Sequence, residues 1–194
     1  MSIGRTTAEG PQDSQGLRIL FVKTELGYPR SRGHDIRAFN MIRSMAELGH
    51  VIGLVTSTRP KDEAIKGLSL ERIAVVTEGT VTPFAGRRFT RFQESLASYV
   101  GASRPKLNRV ADEVRRFQPD VVIGVGPDVL PYLAAVDGVP LVWYAADEWV
   151  SHLWTTLKIS RLRTWKNLSW AAFWGTFERT FIPSVDRVWV VTDV

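Results

Sequence analysis

Three short stretches of the sequence carry residues whose types and spacing could do chemistry. Gly126 and Pro127 form a tight turn before a helix, and backbone N–H groups at such a helix start can face an anion. Asp147 and Glu148 are adjacent carboxylates directly after an apolar run, so they either contact a substrate or cap the next helix. Residues 24–33 are rich in glycine and other turn-forming types and therefore form an exposed loop. A purely structural role stays open for the first two stretches.

The loop at residues 24–33 lies between two elements that fix its place in the fold. An apolar run, Ile19 to Val22, precedes it and predicts a buried strand, and a helix begins after it near His34 or Asp35. The apolar side chains of this helix recur at helical spacing and predict one buried stripe, formed by Ala38, Met41, Ile42, Met45 and Leu48. A second apolar run, Val51 to Thr56, completes a strand–loop–helix–strand unit. In such a unit the loop lies at the carboxyl edge of the sheet, where open α/β sheets bind ligands.

Strand and helix patterns continue to alternate through the rest of the chain. Apolar runs predict four more strands, at Ile73 to Thr77, Val121 to Gly126, Leu141 to Ala145 and Val185 to Thr192. Helical spacing predicts helices at Arg87 to Tyr99, from Pro105 to Phe117, from Asp128 as N-cap to Val136, and at Leu162 to Phe181. The alternation predicts an α/β fold with a doubly wound, mainly parallel, Rossmann-like sheet and helices on both of its faces.

Several classes of protein are disfavoured by what the sequence lacks. No G-x-G-x-x-G follows the first strand, and Thr56-Ser57 ends the second strand where a ribose-binding acid is expected. P-loop, G-x-S-x-G and H-E-x-x-H motifs are also absent, which disfavours an NAD enzyme, an NTPase and a serine hydrolase. The chain has no cysteine and three histidines, so no metal site is expected, and no motif calls for a cofactor.

The net charge of +5 and the isoelectric point near 9.8 permit acidic partners such as nucleotide-sugars or phospholipid surfaces. A nucleic acid is not expected as a partner, because the basic residues are spread over several elements and form no groove-reading motif. Residues 1–16 are polar, lack the apolar core of a signal peptide, and are expected to form a disordered leader. No apolar run is long enough to span a bilayer, so we expect a cytoplasmic protein that could touch the membrane from that side.

Two of the predicted helices are unusually aromatic. Arg87 to Tyr99 combines aromatic positions at helical spacing with Arg87, Arg88 and Arg91, which is compatible either with an amphipathic helix on an anionic membrane or with a helix packed on its own sheet. Leu162 to Phe181 carries aromatic residues around more of its circumference than one stripe requires. We therefore expect a second contact surface on that helix, for another domain, a partner or a membrane.

Four blocks of the sequence, read together, resemble the N-terminal domain of GT-B glycosyltransferases of the large retaining group commonly called family 4. The blocks are ILFV, YPRSRGHDIRAFNMIRSMAELGHVIGLVTS, PDVVIGVG and FERTFIPSVDRVWVVTD. The first two look like that family's strand, Gly loop and helix, and the last looks like its closing helix and the strand before the interdomain crossing. Their order covers the chain from about Arg18 to Val194, and sugar transferases of polysaccharide assembly resemble it best.

The resemblance implies a division of labour between two domains. In such enzymes the N-terminal domain mainly holds the acceptor, and a C-terminal domain holds the nucleotide-sugar. On this reading residues 17–194 form the acceptor-side, Rossmann-like domain, and the donor-binding domain is absent or separate. The implied partners are a nucleotide-sugar and a sugar or lipid-linked acceptor. The implied reaction moves a hexose to an acceptor hydroxyl with retention, and the isolated chain is expected to lack this activity.

The resemblance also assigns site residues in the first loop. The Gly loop maps to Arg32, Gly33 and His34, and Gly33 would let the backbone approach a donor phosphate or an acceptor group closely. Arg32 would supply positive charge to a phosphate, with Arg37 in reach on the first helical turn. For His34, a role as a solvated loop residue stays open.

Asp147 is the candidate catalytic residue, because it lies near the position after the fifth strand where many relatives carry a histidine. Ala146 and Glu148 flank it and depart from that pattern, so Asp147 either orients an acceptor hydroxyl or caps a helix. Gly126, Pro127 and Glu148 complete the expected set of substrate-binding residues.

Two other functions compete with this reading. A non-catalytic Rossmann-like subunit could dock a separate catalytic half through the Trp-rich helix, since all seven tryptophans lie from Trp143 to Trp189. A sugar-nucleotide epimerase or isomerase would share the fold class, but the chain lacks a Tyr-Lys pair and paired catalytic acids at the expected sites.

Overall fold

The computed structural model describes residues 16–30, 33–78, 86–145 and 162–190, with the side chains of the last segment described from Leu168 onward. Six strands form one sheet in the order β3-β2-β1-β4-β5-β6, and every pair of neighbours is parallel. The strands are β1 (Arg18–Val22), β2 (Val51–Thr56), β3 (Arg72–Val75), β4 (Val121–Val125), β5 (Leu141–Ala145) and β6 (Arg187–Val190). This order is that of a Rossmann-type doubly wound sheet, so the predicted fold class is confirmed.

Helices cover both faces of the sheet. They are α1 (Gly33–Glu47), α2 (Asp62–Ile65), α3 (Arg91–Tyr99), α4 (Arg104–Phe117), α5 (Leu130–Ala134) and α6 (Leu162–Phe181), with short 3-10 turns at Pro127–Val129 and Ile182–Ser184. Ala38 and Ile42 of α1 pack with Ile19 and Phe21 on one face. Residues of α3 to α6 pack with Leu20 and Val22 on the other. Because β1 is buried on both sides, it reads as an unbroken apolar run rather than an alternating one.

The chain reverses direction across the sheet between β1 and β4. From β1 it winds outward to β2 and β3, and it then returns to pair β4 on the other side of β1. At such a switch point the connections after the two strands leave on opposite faces, which opens a crevice at their carboxyl ends. The fold therefore places any ligand site next to the residues that follow β1 and β4.

The buried stripe of α1 differs in two residues from the predicted one. Ala38 and Ile42 are buried and Met41 and Met45 pack against the core, as predicted, but Leu48 is 75% exposed. The helix ends at Glu47, and Leu48 lies in the turn that Gly49 closes with a φ of +88°, so its side chain leaves the stripe. Phe39 is buried instead, with the Arg30 guanidinium 3.4 Å from its ring centroid.

The amino edge of the sheet holds a buried ionic cluster. Glu113 of α4 is 1% exposed, and Arg72, the first residue of β3, donates from Nε to its Oε2 at 2.7 Å. Arg109 and Arg116 lie farther away, each with a nitrogen 3.7 Å from Oε1. Glu113 raises the pKa of the Arg72 guanidinium through this hydrogen bond and through its charge. The cluster fastens α4 to β3 at the edge opposite to the switch-point crevice, so we assign it to stability.

An aromatic ladder runs along α6 and joins it to the sheet. Phe177 and Phe181 are fully buried, and their ring centroids are 5.0 Å apart. Phe173 and Trp174 continue the ladder, with centroids 5.9 and 5.2 Å from that of Phe177. Neither α6 nor any other helix of the described segments is long and apolar enough to cross a membrane.

Glu178, on the flank of α6, makes the stability of the domain depend on pH. Burial raises the pKa of its carboxyl group. The folded state therefore disfavours the Glu178 carboxylate. At a pH above the pKa that this side chain has in the unfolded chain, Glu178 lowers the unfolding free energy. This penalty vanishes as the pH falls below that pKa. We expect Glu178→Gln to raise the melting temperature at about pH 7 and to change it little at about pH 4.

The matched control for this prediction is Glu25→Gln, because Glu25 is exposed. It should leave the melting temperature unchanged at both pH values. A lower melting temperature for Glu178→Gln at neutral pH would show that the carboxylate has a stabilising partner, contrary to this interpretation.

Candidate functional site

Polar side chains gather at the carboxyl edge of the sheet, directly after the central strands. Thr24 follows β1, and its backbone C=O accepts from the Ser57 N–H, after β2, at 2.9 Å. On its other side, the hydroxyl of Thr24 donates a hydrogen bond to Oδ2 of Asp128, which follows β4. Thr24 therefore joins the ends of β2 and β4 across the switch point. Its hydroxyl and the Asp128 carboxylate are both half-buried, so they can also exchange hydrogen bonds with a ligand.

Tyr132 of α5 extends this polar group toward β2. Its ring is buried, and its hydroxyl lies 3.4 Å from the Ser57 hydroxyl and 3.5 Å from the Gly101 carbonyl oxygen. Burial raises the pKa of the Tyr132 phenol, and the negative charges of Asp128 and Glu78 raise it further. The phenol therefore stays protonated and is available as a neutral donor.

A shallow depression, too small to hold a water molecule, lies between these groups. Lys23, Thr24, Thr56, Ser57 and Tyr132 border it, with apolar side chains from β1 to β3 and α4 at its base. The hydroxyl of Thr56 is buried and has no hydrogen-bond partner among the described residues. Buried hydroxyls are normally paired, so the Thr56 hydroxyl is an unsatisfied polar group at this edge of the sheet.

A buried ion pair fixes the loop beside this depression. The Lys23 ammonium lies 3.1 Å from Oδ1 of Asp35 in the first turn of α1, and both side chains are less than a tenth exposed. Gly27 passes so close to this pair that a Cβ at its position would lie 2.6 Å from Oδ2 of Asp35. His34, about one-third exposed, is 3.5 Å from the same carboxylate. The pair therefore sets where the loop leaves β1 and where α1 begins.

The turn after β4 is shaped by its neighbours in the fold. Gly126 has a φ of +99°, a conformation that favours glycine, and its carbonyl accepts from the buried Trp143 indole at 2.8 Å. Pro127 opens a 3-10 turn in which Asp128 lies inside the helix and bonds Thr24, so the expected N-cap role of Asp128 is wrong. The Asp128 carboxylate accepts a hydrogen bond from the Thr24 hydroxyl, and no described side chain caps the 3-10 turn. This negative charge also disfavours an anion at the turn.

The predicted site residues are only partly brought together. Gly33 is the first residue of α1, with nothing within 4 Å of where a Cβ would lie, and His34 follows it beside Asp35. Arg37 is exposed on the same helix. Arg32, Asp147 and Glu148 lie outside the described residues, so their roles stay predictions.

The sequence-based prediction missed Lys23, Thr24, Ser57 and Tyr132 as site residues. A signal for three of them existed, because Lys23, Thr24 and Ser57 are the first polar residues after two predicted strands, at the edge where ligands bind. Tyr132 carried no such signal, since it lies in an apolar helix and only the packing of α5 brings its hydroxyl to Ser57.

No group of three or more His, Cys, Asp or Glu side chains that could hold a metal ion occurs within residues 16–30, 33–78, 86–145 and 168–190. Among the described residues, the switch point brings together hydroxyls, the Asp128 carboxylate, and the Lys23 ammonium, which is paired with the Asp35 carboxylate. Such groups can form hydrogen bonds with hydroxyl groups.

Comparison with known proteins gives structural similarity alone. No protein-family model and no curated protein sequence matches the chain. Among solved structures it is similar to the glycosyltransferase SnogD from Streptomyces nogalater, with 16% identity, a TM-score of 0.47, and coverage of 92% of this chain and 45% of that one. It is also similar to the spinosyn forosaminyltransferase SpnP, with 12% identity, a TM-score of 0.41, and coverage of 84% and 41%. The chain thus spans less than half the length of either protein.

Proposed function

We propose that this chain is the acceptor-side domain of a glycosyltransferase, and that it holds a sugar or lipid-linked acceptor at the carboxyl edge of the sheet. The observation that carries the proposal is the Thr24–Asp128 hydrogen bond, which places a hydroxyl and a carboxylate together at the switch point. The resemblance of the first loop and the closing helix to family 4 enzymes of the retaining group supports the same class.

The chemistry of these groups fits an acceptor better than a donor. A nucleotide-sugar needs positive charge or helix N-termini for its diphosphate. At the described part of the switch point, however, Lys23 is paired with Asp35, and Asp128 adds negative charge. An acceptor hydroxyl, in contrast, can donate to Asp128 and accept from the neutral Tyr132 phenol. We assign the donor to a separate domain for this reason.

In the proposed reaction the bond between the anomeric carbon and the donor phosphate oxygen breaks, and a bond to the acceptor oxygen forms. The nucleoside diphosphate leaves with the bonding electrons, and the acceptor hydroxyl gives its proton to the departing phosphate oxygen. Asp128 and Thr24 would orient that hydroxyl, while Arg32, Arg37 and His34 would line the side of the crevice toward the donor. Asp147 remains the candidate catalytic residue of this proposal.

The isolated chain tests the proposed division between donor and acceptor. We expect no transfer of hexose from UDP-glucose or GDP-mannose by the 194-residue chain, and no saturable binding of either by calorimetry below about 1 mM. Turnover by the chain alone would contradict the proposal, as would tight nucleotide-sugar binding that Gly33→Asp abolishes. Gly33 suits this test because a Cβ at its position would have no described neighbour within 4 Å.

Thr24→Val tests the acceptor side. The substitution keeps the shape of the side chain and removes the hydroxyl that holds Asp128, so we expect affinity for short oligosaccharides to fall about tenfold. The matched control is Thr180→Val, because the Thr180 hydroxyl only bonds the Thr176 carbonyl within α6. Equal affinities for wild type and Thr24→Val, measured by calorimetry, would exclude Thr24 from the site.

A further inference from the structure

Helix α3 turns an aromatic strip toward solvent instead of toward the sheet. Phe92 is 57% exposed and Tyr99 is 63% exposed, whereas Ala97 is the buried residue of this helix and Leu96 only packs against the core. Phe92 and Tyr99 are seven positions apart and so lie on one face, about 10 Å apart along the axis. Neither of these two rings therefore belongs to the buried core.

The strip continues onto α6. Trp170 is 37% exposed, and its ring centroid lies 6.3 Å from that of Tyr99. Tyr99 also packs against Phe173, with the centroids 4.4 Å apart, so its ring is held in place while most of its surface faces solvent. We refer to Phe92, Tyr99 and Trp170 as the aromatic surface. Contiguous exposed apolar surface marks an interaction site, whereas scattered single apolar residues do not.

Three arginines lie in and just before the first turn of α3, close in the chain to Phe92. Arg87, Arg88 and Arg91 are exposed, and none of them forms an ion pair with any described residue. By contrast, Arg104, at the start of the next helix, is 3.0 Å from Glu94. Arg91 occupies the first turn of α3, where the helix dipole disfavours a cation, and the Thr90–Gln93 capping box already fixes this helix start. Stability of the helix therefore does not account for the three arginines.

We propose that the aromatic surface and Arg87, Arg88 and Arg91 dock this domain on an anionic lipid bilayer. Aromatic rings with one polar end settle at the level of lipid headgroups, and Tyr99 and Trp170 are of this kind. Each exposed arginine near an anionic membrane contributes attraction, and the nearby carboxylates of Glu94 and Glu78 are already paired with Arg104 and Lys106. The docking is peripheral, and it is independent of the proposed transfer reaction.

The test is flotation of the 194-residue chain with vesicles of phosphatidylcholine, with and without about one-third phosphatidylglycerol. We expect binding to the anionic vesicles, at least about tenfold weaker binding to the neutral ones, and loss of binding as salt is raised. Arg87→Gln/Arg88→Gln/Arg91→Gln should weaken binding to the anionic vesicles by at least about tenfold. Phe92→Ser/Tyr99→Ser should weaken it even at low salt.

The matched control is Arg43→Gln/Arg59→Gln/Arg115→Gln, which removes the same charge from other exposed positions. It should retain most of the binding, and an equal loss would show that only net charge matters and would overturn the proposal. Absence of binding by wild type to anionic vesicles would also overturn it. If sedimentation then showed a dimer that Phe92→Ser/Tyr99→Ser dissociates, the surface would instead be a contact between two copies. Urea unfolding checks that every variant is folded.

Discussion

Asp35→Ala is expected to lower the unfolding free energy by about 3–5 kcal/mol. The Asp35 carboxylate is 3.1 Å from the Lys23 ammonium, and both side chains are almost completely buried. Removing Asp35 leaves a positive charge without its partner between the end of β1 and the first turn of α1. The seven tryptophans give a fluorescence signal for the measurement by urea unfolding.

The control is the double variant Lys23→Met/Asp35→Leu, in which apolar side chains replace both charges. Its stability should lie within about 1.5 kcal/mol of wild type, because a buried ion pair and apolar side chains of similar size are often close in free energy. If Asp35→Ala costs less than about 1 kcal/mol, or if the double variant is as unstable as the single one, the pair does not fix the loop as described.

Phe177→Ala is the second large effect, and we expect a loss of about 3–5 kcal/mol. The Phe177 side chain is fully buried, and its ring lies 5.0 to 5.9 Å, between centroids, from the rings of Phe173, Trp174 and Phe181. Truncation removes the ring at the centre of the aromatic contacts that join α6 to the sheet, and it leaves a cavity. The same urea titration measures it.

Phe92→Ala is the matched control for this second prediction. It removes the same atoms from a side chain that is 57% exposed, so the unfolding free energy should change by no more than about 0.5 kcal/mol. The pair separates stability from docking, since Phe92→Ala should weaken binding to anionic vesicles and leave the fold intact. Equal costs for the two substitutions would mean that the core does not extend along α6 as described.

The strands and most helices could be predicted because the sequence encodes them locally. Leu162–Phe181 is a helix with the predicted bounds, and β5 spans Leu141–Ala145 as its apolar run indicates. The parallel direction of the strands could be predicted from the short connections between alternating strands and helices. The predicted burial of Leu48 was wrong because it depends on where the helix ends, which the spacing of apolar residues does not specify.

The site was harder to predict because it depends on pairs that are distant in sequence. Thr24 and Asp128 are 104 positions apart, and Ser57 and Tyr132 are 75 apart. Each residue alone fits an ordinary turn or packing role, and only the switch point brings them together. The orientation of α3 was also undetermined, since aromatic residues at helical spacing fit the sheet and the solvent equally well. In the structure Phe89 and Leu96 pack against the core, whereas Phe92 and Tyr99 face solvent.

Chemical-shift mapping by NMR tests most directly whether the carboxyl edge is a binding surface for a sugar acceptor. The isotope-labelled chain is titrated with cellotriose, maltotriose and mannotriose to about 10 mM, an order of magnitude above a dissociation constant of 1 mM. We predict that at least one of them shifts the backbone amides of Thr24, Ser57 and Asp128, and that Thr24→Val removes these shifts. Shifts confined to the amino edge around Arg72 and Glu113, or no shifts with any of the three sugars, would contradict the proposed acceptor site.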